Sequence, residues 1–512
     1  MGQVYANARS TLVWLGCDPD NLAASAFDLI LETNQYFGEM LAKSNDRFDD
    51  MPQFTEPYPI CMRQDRWSGV ATLFDHVWFE RVWTVQEVAV AEECRMFWGP
   101  VSIPFADVLE ICVWFSWKPD FYNILWKFTR KIKRLGVLRI SMYIQYHSTH
   151  NDLMPTSWQQ ARPGLNTLAT RENRFKSFVS ILQAARELKT TDPRDCVYAF
   201  LGCPYAKDNQ GQTLVDADYT ISLSKLSLDL ACALLKHPSE RHWVLSAVGH
   251  KHRSGSFDTA YPSWVPKWHA ESAVNPHDGS PRYWYRTGGS LSLFAPDTSL
   301  SHLTISGSVF DKVVWMTPVI DGNNFRLNSR WQDPMNPESE ELFIESLWKG
   351  LTASATRLCL SLKEDDYTRT LMAGYPSNRS RDSVPDSSHQ DYVEAYKRMA
   401  RLERLGTFRR EDINADELQW AIRFEDLLQF LNESMLFITE HGRIGNAPNG
   451  KVVEIGDECC IIFGLSVPFL LTPAHNGRHK LVNECYIHGV MDGELMEQLT
   501  DSDLRDMKIV LE

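Results

Sequence analysis

The sequence predicts a mixed α/β chain. An α/β segment opens it, a mainly helical region follows, and a C-terminal β-rich unit carries a helical insertion. Three observations predict this. Two short apolar runs, Ser10–Gly16 and Cys94–Trp98, each close on a glycine and flank helical patterns. From Ile103 to about Leu235 the spacing of apolar residues is mostly helical. After about residue 280, strand-like runs return in two blocks with a helical stretch, 337–430, between them. At roughly 150 residues per domain, 512 residues allow about three domains.

Taken in order, Ser10–Gly16 reads as a short buried strand, with Cys-Asp-Pro-Asp as the turn beyond it. Leu22–Leu41 is helical, because Phe27, Ile30, Leu31 and Asn34 fall at i, i+3, i+4 and i+7; Asp20 or Asn21 caps it. A polar loop runs from Asn45 to Pro59. Trp67–Phe74 and Phe79–Ala91 read as helices and Cys94–Trp98 as a strand. Two strands leave their edges unpaired, so the sheet expected here needs more strands than this stretch supplies. Phe175–Leu188 is an amphipathic helix. Thr191–Gly202 is a helix capped by Thr191 or Asp192 with Pro193 in its first turn, and Ile221–Leu235 is another. Pro262 and Pro266 force an extended path on the Trp-rich segment Tyr261–Trp268.

Trp284–Tyr285, Ser290–Phe294, His302–Ser308 and Lys312–Met316 read as strands. Strands resume over Met435–Gly489, where Asn476-Gly477 is a strong hairpin signal. Neither block can close alone, which predicts one β unit assembled from both. The expected division is an α/β segment over 1–101, a helical region over 102–279, a β-rich unit over 280–336 plus 431–495, and a helical insertion over 337–430. A mobile polar loop is expected near 374–390.

Composition excludes several classes. Lys+Arg 52 against Asp+Glu 66 gives a net charge of −14, without the basic footprint of a dedicated nucleic-acid binder. Hydrophobic residues at 44% and charged residues at 23% are ordinary for globular chains. The longest strongly apolar run, Cys459–Leu471, is broken by Gly464, Ser466 and Pro468 and is too short for a membrane span. The first residues carry no secretory signal, and Ala6 stands where myristoylation wants Ser or Thr. Eleven cysteines without a Cys-x-x-Cys pair predict reduced thiols in a cytoplasmic protein, which makes the sequons at Asn378 and Asn432 chance matches. Phosphate-loop, dinucleotide, zinc-protease and nucleophile-elbow motifs are absent. His250 and His252 have no nearby carboxylate or Cys and read as a solvated loop, so no metal and no resident cofactor are expected.

One segment stands out, Trp78-Phe-Glu-Arg-Val-Trp-Thr-Val-Gln-Glu87. On one continuous helix Phe79, Val82, Trp83, Gln86 and Val90 share a stripe, with Arg81 nearly opposite and Glu87 at the flank. Gln86 then lies in an apolar face, and Glu87 beside Trp83 in a partly dry cleft has a raised pKa and can act as general acid/base or hold a ribose. The plainer reading is a buried helix whose Gln86 and Glu87 fasten neighbouring backbone. Arg194 can clamp a carboxylate elsewhere, although Thr191–Asp195 reads first as a helix start. The Tyr261–Trp268 segment reads as packing across a domain seam or, alternatively, as a ligand platform.

These residues together resemble the fungal heterokaryon-incompatibility (HET) domain family. The landmarks are Val4-Tyr5 with Ala8, Val13–Gly16, Trp78-Phe79-x-Arg81-x-Trp83-x-x-Gln86-Glu87, and Thr191–Asp195 with Val197-Tyr198-Ala199-x-Leu201-Gly202. Tyr261–Trp264, Gly456-Asp457, Gly464–Pro468, Glu484–Gly489 and Asp492–Glu494 continue the series nearly to the end of the chain. The family carries further strands before the Val-Tyr element, so the resemblance implies a chain beginning within the domain. It implies a partial TIR/flavodoxin-like sheet, and a role in non-self recognition and programmed cell death through other proteins or self-association. By analogy with TIR relatives it also implies an alternative, cleavage of NAD as substrate with Glu87 as the catalytic residue and Arg81, Trp83 and Gln86 as a ligand-binding or structural cluster. A third expectation is a non-functional truncated remnant.

Overall fold

The computed structural model describes residues 4–5, 7–52, 59–62, 64–89, 93–118, 121, 125, 164, 177–186, 188–250, 253, 261–270, 285–294, 296–299, 302–329, 331–333, 339–373, 389–407, 414–428 and 431–512. The chain forms two compact units, 1–226 with 268–271 and 227–267 with 272–512. It is mixed α/β, with strands and helices first, helices in the centre, and a C-terminal sheet.

The first unit begins with β1 (Thr11–Trp14), α1 (Ala23–Lys43), α2 (Gln64–Phe74), α3 (Val77–Glu80) and α4 (Trp83–Ala89). It continues through β2 (Cys94–Trp98), β3 (Val101–Pro104), α5 (Phe105–Trp117), α6 (Phe178–Ala185) and α7 (Asp195–Tyr198), and α8 (Leu223–Lys236) follows. β1 pairs in parallel with β2 from Thr11↔Cys94 to Trp14↔Phe97, and β2 turns back into antiparallel β3. Strand alternation sends Val13, Met96 and Ile103 into the core beneath Phe27, Ile30 and Phe37 of α1 and Trp114 of α5. Phe37 and Trp114 stack at 5.3 Å. The opposite face holds Leu12, 67% exposed, and Trp14, 61% exposed, on a strand that is the edge of this sheet among the described residues.

Three local expectations change here. The cap of α1 is neither Asp20 nor Asn21. Asp18 accepts from the Leu22 and Ala23 N–H groups at 2.9 and 2.8 Å, while Asn21 takes a positive φ of 55° in the intervening turn. Ile103 is in a strand, because Gly99 at φ 57° reverses the chain straight into β3. Phe79–Ala91 is not one helix. Arg81 is extended at φ −84°, ψ 135° and separates α3 from α4, so Phe79 shares no continuous helical stripe with Trp83 and Gln86; Val90 and Ala91 lie outside the described residues.

The second unit holds β4 (Asp297–Ser299), β5 (His302–Met316), α9 (Phe343–Arg357), α10 (Glu364–Leu371), α11 (His389–Leu405) and α12 (Ala415–Leu428). After these come β6 (Met435–Thr439), β7 (Ile444–Ala447), β8 (Glu458–Ile462), β9 (Phe469–Pro473), β10 (His479–Glu484), β11 (Tyr486–Ile487), α13 (Asp501–Asp506) and β12 (Lys508–Leu511). The order β5-β12-β10-β9-β8 returns to β5 through a β5–β8 pairing and closes a five-stranded barrel. β5, 15 residues long, outruns the barrel, and its end pairs with β6, which continues the sheet to β7 and β11. Helices α9 to α12 lie in the chain between β5 and β6, and Leu351, Tyr367, Tyr396 and Phe424 form one core with Leu436, Ile438 and Ile444.

The Asn476-Gly477 turn joins β9 to β10, with both residues at positive φ, 60° and 70°. His302–Ser308 and Lys312–Met316 are one strand, since the breaks between them are register shifts and not a turn. Ser290–Phe294 contains a 3₁₀ turn, Leu291–Leu293, in place of the expected strand. Of the loop expected near 374–390, residues 374–388 lie outside the described residues, and His389 already begins α11. Trp284 also lies outside them.

Candidate functional site

The two motifs singled out in sequence, around Trp78–Glu87 and Thr191–Asp195, meet in space. Extended Arg81 pairs with Lys189: the Lys189 N–H donates to the Glu80 carbonyl at 2.6 Å, and the Val82 N–H to the Lys189 carbonyl at 3.2 Å. Lys189 Nζ adds an ion pair to Glu80 at 2.6 Å. Thr84 Oγ1 donates to the Trp78 and Arg81 carbonyls and so holds the break between α3 and α4. From this frame Trp83 Nε1 donates to Asp195 Oδ2 at 3.0 Å, and the Tyr219 hydroxyl donates to Asp195 Oδ1 at 2.6 Å. Asp195 is buried, and both its oxygens are occupied by neutral donors.

Arg194 clamps a carboxylate, but a local one. Its guanidinium meets Asp192, two residues earlier, at 2.9 and 2.7 Å and donates onward to the Tyr219 and Ile221 carbonyls. Tyr198 donates to the Asp218 carbonyl at 2.7 Å, and its ring meets that of Tyr219 edge-on. The helix expected over Thr191–Gly202 is the single turn of α7, beyond which the backbone tightens to three-residue bonds, from the Phe200 N–H to the Val197 carbonyl and from the Leu201 N–H to the Tyr198 carbonyl.

Trp83 and Glu87 therefore face different partners. Glu87 is half-buried, and burial raises its carboxyl pKa against the opposing pull of Arg81 and of the Tyr5 hydroxyl that donates to it. Burial, then the nearby Glu87 charge, pushes the Cys94 thiol up to about 12. Cys94 is the first residue of β2 and Tyr5 precedes β1, which places Glu87 at the amino ends of the parallel strand pair. Arg81 is exposed and Gln86 is buried in α4. Asp195 and Tyr5 both lie within the motifs quoted above. Nothing in periodicity says that Asp195 would accept from Trp83, 112 residues away.

An open hollow of about 540 Å³ in the first unit is lined by Tyr36, Met40, Lys43, Ser44, Asn45, Asp50 and Pro52, and holds none of the expected site residues. Trp264 and Trp268 are fully buried, which removes the ligand-platform reading; Trp268 lies under the Arg186 guanidinium at 5.1 Å. His250 is buried too and is not a solvated loop residue. His252 lies outside the described residues, and no group of three or more His, Cys, Asp or Glu that could hold a metal occurs among the described ones.

A family model for the heterokaryon incompatibility protein (HET) matches residues 1–87, ending on Glu87 itself. A model for the Het-6 beta-barrel domain matches residues 331–505, within the unit whose five strands close on one another. The chain is 22% identical over 578 aligned positions to heterokaryon incompatibility protein 6, OR allele, of Neurospora crassa, spanning 98% of this chain and 79% of that relative. No solved structure matches. With the HET match leading, the barrel match following and the relative aligned over 98% of the chain, the protein carries a HET domain and a Het-6 barrel domain and is similar along its length to a fungal heterokaryon-incompatibility protein.

Proposed function

We propose that this chain acts in fungal heterokaryon incompatibility by associating with another protein in the cytoplasm, self-association included, and that the outcome is programmed cell death. The observation that carries the reading is the uncovered side of the first sheet. Among the described residues β1 is an edge strand, and Leu12 and Trp14 stand exposed on it beside Phe97 of β2. Proteins normally blunt such edges with charge, Pro or a bulge, and neighbouring exposed apolar groups mark interaction sites. The parallel β1–β2 pair with helices between them supports a flavodoxin-like, TIR-related reading of this segment.

The test is a Leu12→Glu/Trp14→Glu double variant, which leaves the buried face intact. Expressed in an incompatible fungal strain, wild type should arrest growth and co-purify with a partner chain, and the variant should do neither. Equal arrest and equal co-purification from both would overturn the reading.

A second reading, NAD cleavage, is favoured by the raised carboxyl of Glu87 on α4. It ranks behind the first because ligands of parallel sheets collect at the carboxyl ends of strands, and Glu87 lies at the amino ends. Incubation of purified protein with NAD decides it. Nicotinamide release that Glu87→Gln abolishes would support it, and no release from wild type would end it.

A further inference from the structure

β1 carries an unused row of backbone groups. The Thr11 N–H donates to the Glu93 carbonyl and the Leu15 N–H to the Phe97 carbonyl, so the odd positions turn their backbone toward β2. The backbone groups of Leu12 and Trp14 turn the other way, to the side where no strand lies among the described residues. The same two residues carry the exposed apolar side chains. The register with β2 runs without a shift from Thr11 to Trp14, and the strand bears no charge and no proline, so the usual guards of an edge are missing from it.

This edge is complementary to itself. When a second β1 runs antiparallel to it about a two-fold axis at Val13, Leu12 of each copy falls opposite Trp14 of the other. Both residues turn their backbone outward, so each such pair exchanges both of its hydrogen bonds. The pleat agrees, because residues opposite one another point to one face: Leu12 with Trp14 on the open face, Thr11 with Leu15 on the buried one. Charge agrees as well. Exposed Arg9 leads into the strand, and Asp18 and exposed Asp20 follow it beyond Gly16. An antiparallel copy brings each basic entrance to the other's acidic exit, whereas a parallel copy would set like charges together. Arg95 of β2 donates to Ser102 of β3, on the side of the sheet away from this edge.

We infer that the occupant of this edge is a second copy of the chain: two β1 strands pair antiparallel about Val13 and join two three-stranded sheets into one. The inference deepens the association proposed above and rests on its reading of β1 as the contacting edge. A four-residue strand covers less area than a stable dimer interface needs, so the pairing is weak and reversible, with a dissociation constant on the order of 10–100 µM. A two-fold pair occupies both β1 edges, so association through them stops at the dimer.

Sedimentation equilibrium of the purified full chain tests this, with wild type expected to pass from monomer to dimer as concentration rises through about 100 µM. Leu12→Pro deletes an outward N–H that β2 does not use and sets a ring against the second copy, so it should weaken the dimer by about tenfold or more. Arg9→Asp and Asp20→Arg, both on exposed residues, should each weaken it roughly 3- to 10-fold, and the chain carrying both should regain wild-type association. Should Leu12→Pro not fold, the charge-swap series decides alone. A monomeric wild type at about 200 µM, a dimer untouched by Leu12→Pro, or a double swap no tighter than its single variants would each overturn the pairing. Failure of the wider reading looks different. A monomeric chain that still arrests growth and co-purifies with a different protein overturns self-pairing alone. A dimer formed as described, with growth arrest unchanged in Leu12→Pro, supports self-pairing and removes its role in incompatibility.

Discussion

Replacing Asp195 by Ala removes a carboxylate that ties the α3–α4 segment to the Thr191–Tyr219 segment. Two donors lose their acceptor, Trp83 Nε1 at 3.0 Å and the Tyr219 hydroxyl at 2.6 Å. A hydrogen bond to a charged group contributes about 1.5–3 kcal/mol, and the penalty of leaving a donor buried and unmet is of the same order. Tyr219 is half-exposed and can turn to water, so its bond contributes only about 0.5–1 kcal/mol. The expected loss is about 2–4 kcal/mol. For a unit of this size each kcal/mol lowers Tm by roughly 2–4 °C, which puts the shift on the order of 4–16 °C. The assay is thermal and denaturant unfolding of the full chain as a double-mutant cycle with Trp83→Phe, which deletes the indole N–H and keeps the aromatic bulk. The two substitutions should couple by at least about 1 kcal/mol. Additivity within about 0.3–0.5 kcal/mol would refute the direct bond, and with it the claim that the two motifs form one junction.

Glu87→Gln should leave the protein as stable as wild type or more so at pH 7. Because burial raises the Glu87 carboxyl, its contribution is fully present below about pH 4.5 and is lost as pH rises through the folded pKa; the Gln variant should lack that decline in a pH series of unfolding midpoints. Arg253→Ala strands the Asp457 carboxylate, 1% exposed, and should destabilise the barrel unit by about 3–5 kcal/mol, with Arg253→Lys intermediate because it loses the two-pronged grip. Gly464→Ala should cost at least ~2 kcal/mol in the same assay: φ is +87°, and a Cβ would stand 2.5 Å from the Phe294 backbone nitrogen. Either of the last two unfolding like wild type would contradict the packing described.

Much of the first unit was legible in the residues themselves. β1, α1 and β2 follow from local apolar spacing, and the Asn476-Gly477 hairpin follows from the two positive φ angles that only such a pair adopts cheaply. The break at Arg81 was not legible, because it is imposed by pairing with Lys189, more than 100 residues away, and no window of local spacing contains that partner. β12 was missed for the same reason. Lys-Ile-Val-Leu carries little signal by itself and becomes a strand by lying beside β5.

By itself the sequence determined the mixed α/β class, the ordered series of landmarks that it shares with HET-domain proteins, and the residue types at the candidate site. These depend on local spacing and side-chain chemistry, which a linear string records. Only the tertiary structure decided that Trp83 turns to Asp195 while Glu87 turns to Tyr5 and Cys94, that five strands from both sides of the helical stretch close a barrel, and that His250 is buried against β10. Those outcomes rest on which polar groups are buried together and must satisfy one another, and burial is a property of the folded chain.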